Sequence, residues 1–486
     1  MSTCQIVRRE RFRPSSLTAC LTAALGIAIA NASAGEPARS GASNKIPSAF
    51  TWLPQVQNTG ANSHGEKRGG QARLATPHSV TSCADGFTPG TLRYEVANAT
   101  SGDTIDLSAL PCSVITLDPA QVPTPIQILQ DTLYLKGPAA GANYLTISGG
   151  NQSAVLQHLG GGTLYVTDLT IADGQNIDNV VGPDGGCISS LGSVSLARSK
   201  VTHCVAGSNA QHPRGGGIFT NGNLSLSAST IADCRAIGIN HYARGGGAFV
   251  IGSFSALYST IDENASSSKY SDHTSQAGGI AAFGVATVQG STISGNSSDI
   301  NGGILAFAGG VIINSTISDN KASRGYSGLL SYGPLEVTNA TIAFNTAGSD
   351  FSVSGLYSLG NLTLKSSIIA DNSNAIGPSD LGGNSGIVLT GAYNLITSST
   401  LPPLVDTITA CPQLQPLADT GGHIKTHALS HTSPAIDMGK NVAGLVVDQR
   451  SFSRVWGADA DIGSVEWHPT DVDERIMADG FDGVCD

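Results

Sequence analysis

From about residue 160 the chain alternates short aliphatic and polar runs with stops made of Gly, Asn or Ser, and one phrase keeps returning. Thr170-Ile171-Ala172-Asp173-Gly174 is followed by Lys200-Val201-Thr202-His203-Cys204, Thr230-Ile231-Ala232-Asp233-Cys234 and Thr260-Ile261-Asp262-Glu263-Asn264. Later copies lead from Ile293 to Asn296, Ile317 to Asn320, Ile342 to Asn345 and Ile369 to Asn372. The aliphatic residues Ile171, Val201, Ile231, Ile261, Ile293, Ile317, Ile342 and Ile369 are separated by 30, 30, 30, 32, 24, 25 and 27 residues. A second phrase keeps the same beat: Gly185-Gly186-Cys187, Gly216-Gly217-Ile218, Gly246-Gly247-Ala248, Gly278-Gly279-Ile280 and Gly302-Gly303-Ile304. It weakens to Ser327-Gly328-Leu329 and Ser354-Gly355-Leu356. Between the two phrases lies a short alternating strand, as in Asn223-Leu224-Ser225-Leu226.

A period of this length, holding about three short β segments per repeat, predicts an all-β solenoid. One coil cannot bury its own aliphatic side chains, so coils stack and the inward residues form continuous ladders. Eight coils at ordinary strand spacing give a stack of roughly 40 Å. The Gly-Gly pairs suit a turn with positive φ. Asn264, Asn296, Asn320, Asn345 and Asn372 suit a left-handed turn and can hydrogen-bond to their stacked equivalents.

Composition agrees. The chain has 486 residues with 60 Gly, 3 Met and 13% charged side chains, and Lys and Glu are too sparse for a mostly helical protein. The net charge is -11. Arg8, Arg9, Arg11 and Arg13, the apolar run Leu21 to Ala30 and Ala32-Ser33-Ala34 read as a signal peptide over 1–34. Its removal takes away four arginines and one glutamate and lowers the net charge to -14. Nucleic acid is therefore a poor partner. No later stretch reaches the roughly 20 apolar residues of a membrane helix. Residues 35–75 are Gly-, Ser- and Pro-rich and read as a flexible leader.

The Gly-Gly-aliphatic and Asn-ended phrases resemble those of right-handed parallel β-helix proteins of the polymorphic outer-membrane type. Cys83, Thr91-Leu92-Arg93, Gly102-Asp103-Thr104-Ile105 and Cys112 to Leu117 are similar to the N-terminal cap and first coils of such proteins, here 76–150, ahead of repeats over 151–375. Gly421-Gly422-His423, Ser433-Pro434-Ala435-Ile436-Asp437, Asp448-Gln449-Arg450 and Asp461-Ile462-Gly463 resemble a choice-of-anchor Q domain, giving a closing module over 376–470 before an acidic tail, 471–486. The resemblance implies an exported or surface-associated bacterial β-helix with no common enzymatic activity.

Cys204 and Cys234 stand in the slot that holds Asn in later coils, 30 residues apart, within disulfide reach if their coils are adjacent. Cys83 and Cys112 bracket one N-terminal excursion and form a second expected bridge. Cys187, aligned with Ile218 and Ile280, is expected to be a buried free thiol. Cys411 and Cys485 remain. No cysteine pair has zinc-ligand spacing.

The longer coils gain their length in loops 205–214, 235–244 and 265–277, which stacking places on one side. His212, Arg214, His241, Tyr242, Arg244, Lys269 and Tyr270 belong to this series and form a candidate groove for a carboxylated or sulfated glycan, since Arg binds such groups with forked hydrogen bonds. No residue is assigned to catalysis. A polysaccharide lyase or hydrolase is the alternative; as a lyase it would use Arg214, Arg244, His241 and Tyr242 to neutralise a uronate and shuttle a proton. The acids Asp233, Asp262, Glu263, Asp319, Glu336 and Asp371 are scattered, and several sit where a turn explains them. No tryptophan lies between Trp52 and Trp456 to provide a sugar platform. No cofactor is implied. Asp437, Asp448, Arg450, Asp461 and Glu466 read as an ion-pair network, with calcium the lesser alternative because their spacing is not that of an EF-hand. The function expected is surface display, meaning adhesion or glycan binding without catalysis; a structural stalk is a further alternative.

Overall fold

Parallel ladders join each coil to the next. Strands Ile188–Ser190, Ser193–Ala197, Lys200–Thr202 and Val205–Ser208 follow one another around a single coil. Each pairs in parallel with its counterpart in the next coil: Ile218–Thr220, Leu224–Ser227, Thr230–Ala232 and Arg235–Gly238. The structure, a computed structural model, describes residues 77–139, 145–177, 182–269, 274–348, 353–469 and 471. Repetition produces a 10-stranded sheet following the Gly-Gly phrase, a 12-stranded middle sheet, an 11-stranded Thr-Ile sheet and a narrow 9-stranded sheet after the Cys/Asn slot. The protein is a parallel β-solenoid. Three sheets match the three segments expected per coil; the narrow fourth is built from strands of only two to four residues.

The inward ladder is the one the spacing predicts. Ile171, Val201, Ile231, Ile261, Ile293, Ile317, Ile342 and Ile369 stand opposite one another in register, and each is fully buried. At roughly 1.5–3 kcal/mol per buried aliphatic side chain, this column is a main source of stability. At the N-terminal end the short helix Leu92–Asn98, capped by Thr91, buries Leu92 and Val96 in the same core.

The slot works differently from the expectation. The left-handed residue is the one before it: Asp173, His203, Asp233, Glu263, Asp319 and Asp371 all have φ between 52 and 57°. This leaves the asparagines to hydrogen-bond along the stack. Asn264 Nδ2 donates to Asn296 Oδ1, Asn296 to Asn320, Asn320 to Asn345 and Asn345 to Asn372, at 2.8–2.9 Å. Asn372 Nδ2 ends the ladder on Asp380 Oδ1. Five buried amides are thereby satisfied without water.

The Gly-Gly phrase is also corrected. Ile188 pairs with Ile218, so Cys187 stands opposite Gly217 and not opposite Ile218. Positive φ belongs to Gly185, Gly215 and Gly245, at 64–71°. The next glycines serve close approach: a Cβ on Gly216 would lie 2.2 Å from Gly246 O. A Cβ on Gly217 would meet Cys234 Sγ at 3.0 Å, and on Gly247 or Gly279 it would meet Asn264 or Asn296 at 3.1–3.2 Å. Each coil therefore places a glycine against its own slot residue.

That geometry decides the disulfides. Only the first of these coils carries a side chain in the glycine's place, and Cys187 bonds the slot residue Cys204 across its own coil (S–S 2.05 Å, Cα–Cα 5.4 Å). The expected Cys204–Cys234 bridge does not form; Cys234 is a buried free thiol facing Gly217. Cys83 and Cys112 are bonded (Cα–Cα 6.2 Å). Cys411 is disulfide-bonded as well; Cys485 lies outside the described residues.

The C-terminal segment folds back along the outside of the Thr-Ile sheet. Thr316 Oγ1 donates to Gln449 Oε1, Gln449 Nε2 donates to Ser291 O, and Thr292 Oγ1 donates to Lys425 O. Ser464 N donates to Thr341 Oγ1, and Ser318 Oγ lies 2.7 Å from His427 Nε2. Ala343, Ile368, Ala370 and Leu395 on the sheet share a second core with Leu414, Leu429, Ala435 and Ile462. Thr292, Thr316 and Thr341, outward threonines of the repeat, are thus docking groups for this module.

Candidate functional site

The corner before the Gly-Gly sheet sets Asp184, Arg214, Arg244, Gln276 and Ile300 in one column, each bridged to the next by backbone pairing. Arg214 donates from Nε and Nη2 to the two oxygens of Asp184 at 3.0 and 2.5 Å. Its guanidinium also lies 4.6 Å from the Phe219 ring centre and 5.5 Å from that of Phe249. Arg244 stands between Arg214 and Gln276 in this column. Its guanidinium lies 4.7 Å over Tyr242, and its Nε is buried without a hydrogen-bond partner. Burial pulls its pKa below the ordinary arginine range, Arg214 adds repulsion, and Tyr242 and Tyr332 pull the other way.

His212 stacks on Tyr242 at 3.9 Å, with its Nδ1 3.3 Å from Tyr242 O, and meets His241 edge-on at 4.7 Å. The structure therefore gathers His212, Arg214, His241, Tyr242 and Arg244 around one corner. Lys269 is exposed, and its backbone N–H extends the narrow sheet to Gly238 O. Tyr270 lies outside the described residues.

Beside this corner runs a feature the sequence reading missed. Phe219, Phe249, Phe283, Phe307 and Tyr332 form a file of rings across successive coils, with centre separations of 6.0, 5.2, 4.3 and 5.1 Å. Phe219 and Phe249 are buried, while Phe283, Phe307 and Tyr332 are half-exposed. Tyr326 stacks on Tyr357 at 4.4 Å alongside them. Burial pushes the Tyr332 phenol up to about 12, against the pull of Arg244. The signal was present: an aromatic stands within the strand after Gly-Gly in two coils and just beyond it in three more. A search confined to tryptophan passed over it.

The scattered acids lie elsewhere. Glu263 is raised above the ordinary carboxylate range by Asp262 and then Asp233 at the corner before the slot. Asp319 accepts from Ser318 Oγ, and Glu336 pairs with Lys365. In the terminal module, Arg450 donates to Asp448, Asp471 and the Glu466 carbonyl. Asp461 accepts the Asp437 N–H, and Glu466 accepts the N–H groups of Trp456 and Asp461. Burial lifts Asp461 to about 6 and Glu466 to about 7. These groups pair with one another and with backbone. Among the described residues no group of three or more His, Cys, Asp or Glu is arranged to hold a metal ion, and no helix is long and apolar enough to cross a membrane.

In sequence comparison no family model matches the chain, and no curated protein matches it.

Proposed function

We propose that the protein is an exported bacterial β-helix, displayed at the cell surface or released, that binds a glycan or a neighbouring surface without catalysis. The signal-like segment 1–34, the disulfides Cys83–Cys112 and Cys187–Cys204, and the resemblance to polymorphic outer-membrane repeats with a choice-of-anchor Q module support export. The observation that carries the binding reading is the juxtaposition of Arg214, Arg244, His212, His241 and Tyr242 with the ring file Phe283, Phe307 and Tyr332. Cations beside flat apolar rings suit a ligand with acidic groups and sugar faces.

A glycan array probed with the wild-type protein and with an Arg214→Ala/Arg244→Ala variant tests this. Retention of an acidic or mixed glycan by the wild type, weakened in the variant, is the expected result. Indifference of every signal to the double substitution would remove the groove. The same samples, followed for ultraviolet absorbance of unsaturated uronate ends, test the lyase alternative; no increase is expected.

A further inference from the structure

We infer that the ligand is a sparsely charged glycan, one acidic sugar among neutral ones, with its acid at Arg244 and its neutral rings on Phe283, Phe307 and Tyr332. This rests on the binding reading above and makes it specific.

The column of residues before the Gly-Gly sheet is the starting point. Asp184 consumes the charge of Arg214 through two hydrogen bonds, and the column then runs on to Gln276 and Ile300, which carry no charge. Among the described residues no carboxylate pairs with Arg244, and its Nε is enclosed without a partner. A cation withdrawn from water without a counter-ion lowers stability, and a bound anion removes that penalty. A guanidinium in this state matches a carboxylate or sulfate.

Beside the arginine column runs the ring file. Phe283, Phe307 and Tyr332 follow one another at 4.3 and 5.1 Å along the stacking direction, each half-exposed. Arg214, bridged to Arg244 in the column, lies 5.5 Å from the Phe249 ring centre, and Phe249 meets Phe283 at 5.2 Å, so the arginine column and the ring file adjoin. A linear chain laid along the coils thus meets one positive charge and then several flat rings. A densely charged polyuronate would place further carboxylates over those rings without partners. It would also approach a molecule whose net charge is -11. A single acid followed by neutral sugars fits both constraints.

The test uses the full-length protein and three pentasaccharide probes measured by calorimetric titration: all-neutral hexose, one uronate with four neutral hexoses, and all-uronate. The one-acid probe is expected to bind at least tenfold more tightly than either of the others. Arg244→Gln should reduce its affinity to that of the neutral probe, and Phe307→Ser should weaken the one-acid and neutral probes alike. Arg244→Met, measured without ligand, should unfold at the same or a higher urea concentration than the wild type, because it removes an unpaired charge. An Arg244→Met variant clearly less stable than wild type would overturn the unpaired-charge argument. Tightest binding of the all-uronate probe, or one-acid binding indifferent to Arg244→Gln, would sink this inference while leaving glycan binding intact. If none of the probes binds and the array is blank, both readings fall together.

Discussion

Replacing Asn296 with alanine tests the slot ladder directly. The Asn296 side chain makes four buried hydrogen bonds: Oδ1 accepts Asn264 N and Nδ2 at 3.0 and 2.9 Å, and Nδ2 donates to Ile261 O and Asn320 Oδ1 at 3.0 and 2.9 Å. Alanine removes all four. It strands the backbone N–H of Asn264 and withdraws one donor from the carbonyl of Ile261 in a region sealed from water, since Asn264, Asn296 and Asn320 are fully buried. At about 1 kcal/mol for each of the four bonds, the expected loss is about 4 kcal/mol. The control is Asn223→Ala, whose Oδ1 accepts only Ser253 N at the surface and should cost less than ~1 kcal/mol. Urea unfolding followed by circular dichroism reads both. Equal, small losses for the two variants would mean that water replaces the missing amide, and the ladder would lose its claim to hold the coils in register.

Three further outcomes are expected. Peptide mapping under non-reducing conditions should recover Cys187 joined to Cys204, with Cys234 alkylated only after denaturation because burial lifts its thiol to about 12; a Cys204–Cys234 peptide would contradict the coil register. In the terminal module, Glu466 is held near 7 in the folded state against an ordinary value of 4.5, so folding takes up a proton. The resulting stabilisation is complete below about pH 4.5 and lost as pH rises through about 7, a slope that denaturation across that window should show and Glu466→Gln should flatten. Thr316→Val removes the hydrogen bonds to Gln449 and Ser464 and leaves buried oxygens unmatched, so limited proteolysis should release the terminal module sooner while the solenoid core persists; an unchanged cleavage rate would deny the threonine column its docking role.

Periodicity disclosed the solenoid because one fully buried aliphatic per coil leaves a mark every 24 to 32 residues. The Cys83–Cys112 excursion was legible for a similar reason, being closed within one coil. The register of the glycine phrase was not. Gly215-Gly216-Gly217 offers two placements against Gly185-Gly186, and only the pairing of Ile188 with Ile218 selects one. That single-residue slip turned Cys187 from a bridge partner into a core thiol. The docking of the C-terminal segment was hidden because an outward threonine on a strand looks the same whether it meets water or Gln449. At the candidate site, the loop cations were visible through their shared register, but the pairing of Arg214 with Asp184 and the lack of a carboxylate partner for Arg244 among the described residues depend on which coil each neighbour occupies. The ring file was missed because its members shift from mid-strand in Phe219 and Phe249 to the position after the strand in Phe283, Phe307 and Tyr332.

The amide file also has a bearing on how such a protein can change length. Every rung from Asn264 to Asn345 hands its donor to the following one, every rung after Asn264 receives the preceding one, and Asp380 terminates the series. A duplicated whole turn inserted between two rungs would leave no amide stranded, whereas gaining or losing a fraction of a turn would orphan two at once. Growth by complete turns, with both ends untouched, is the route the chemistry leaves open.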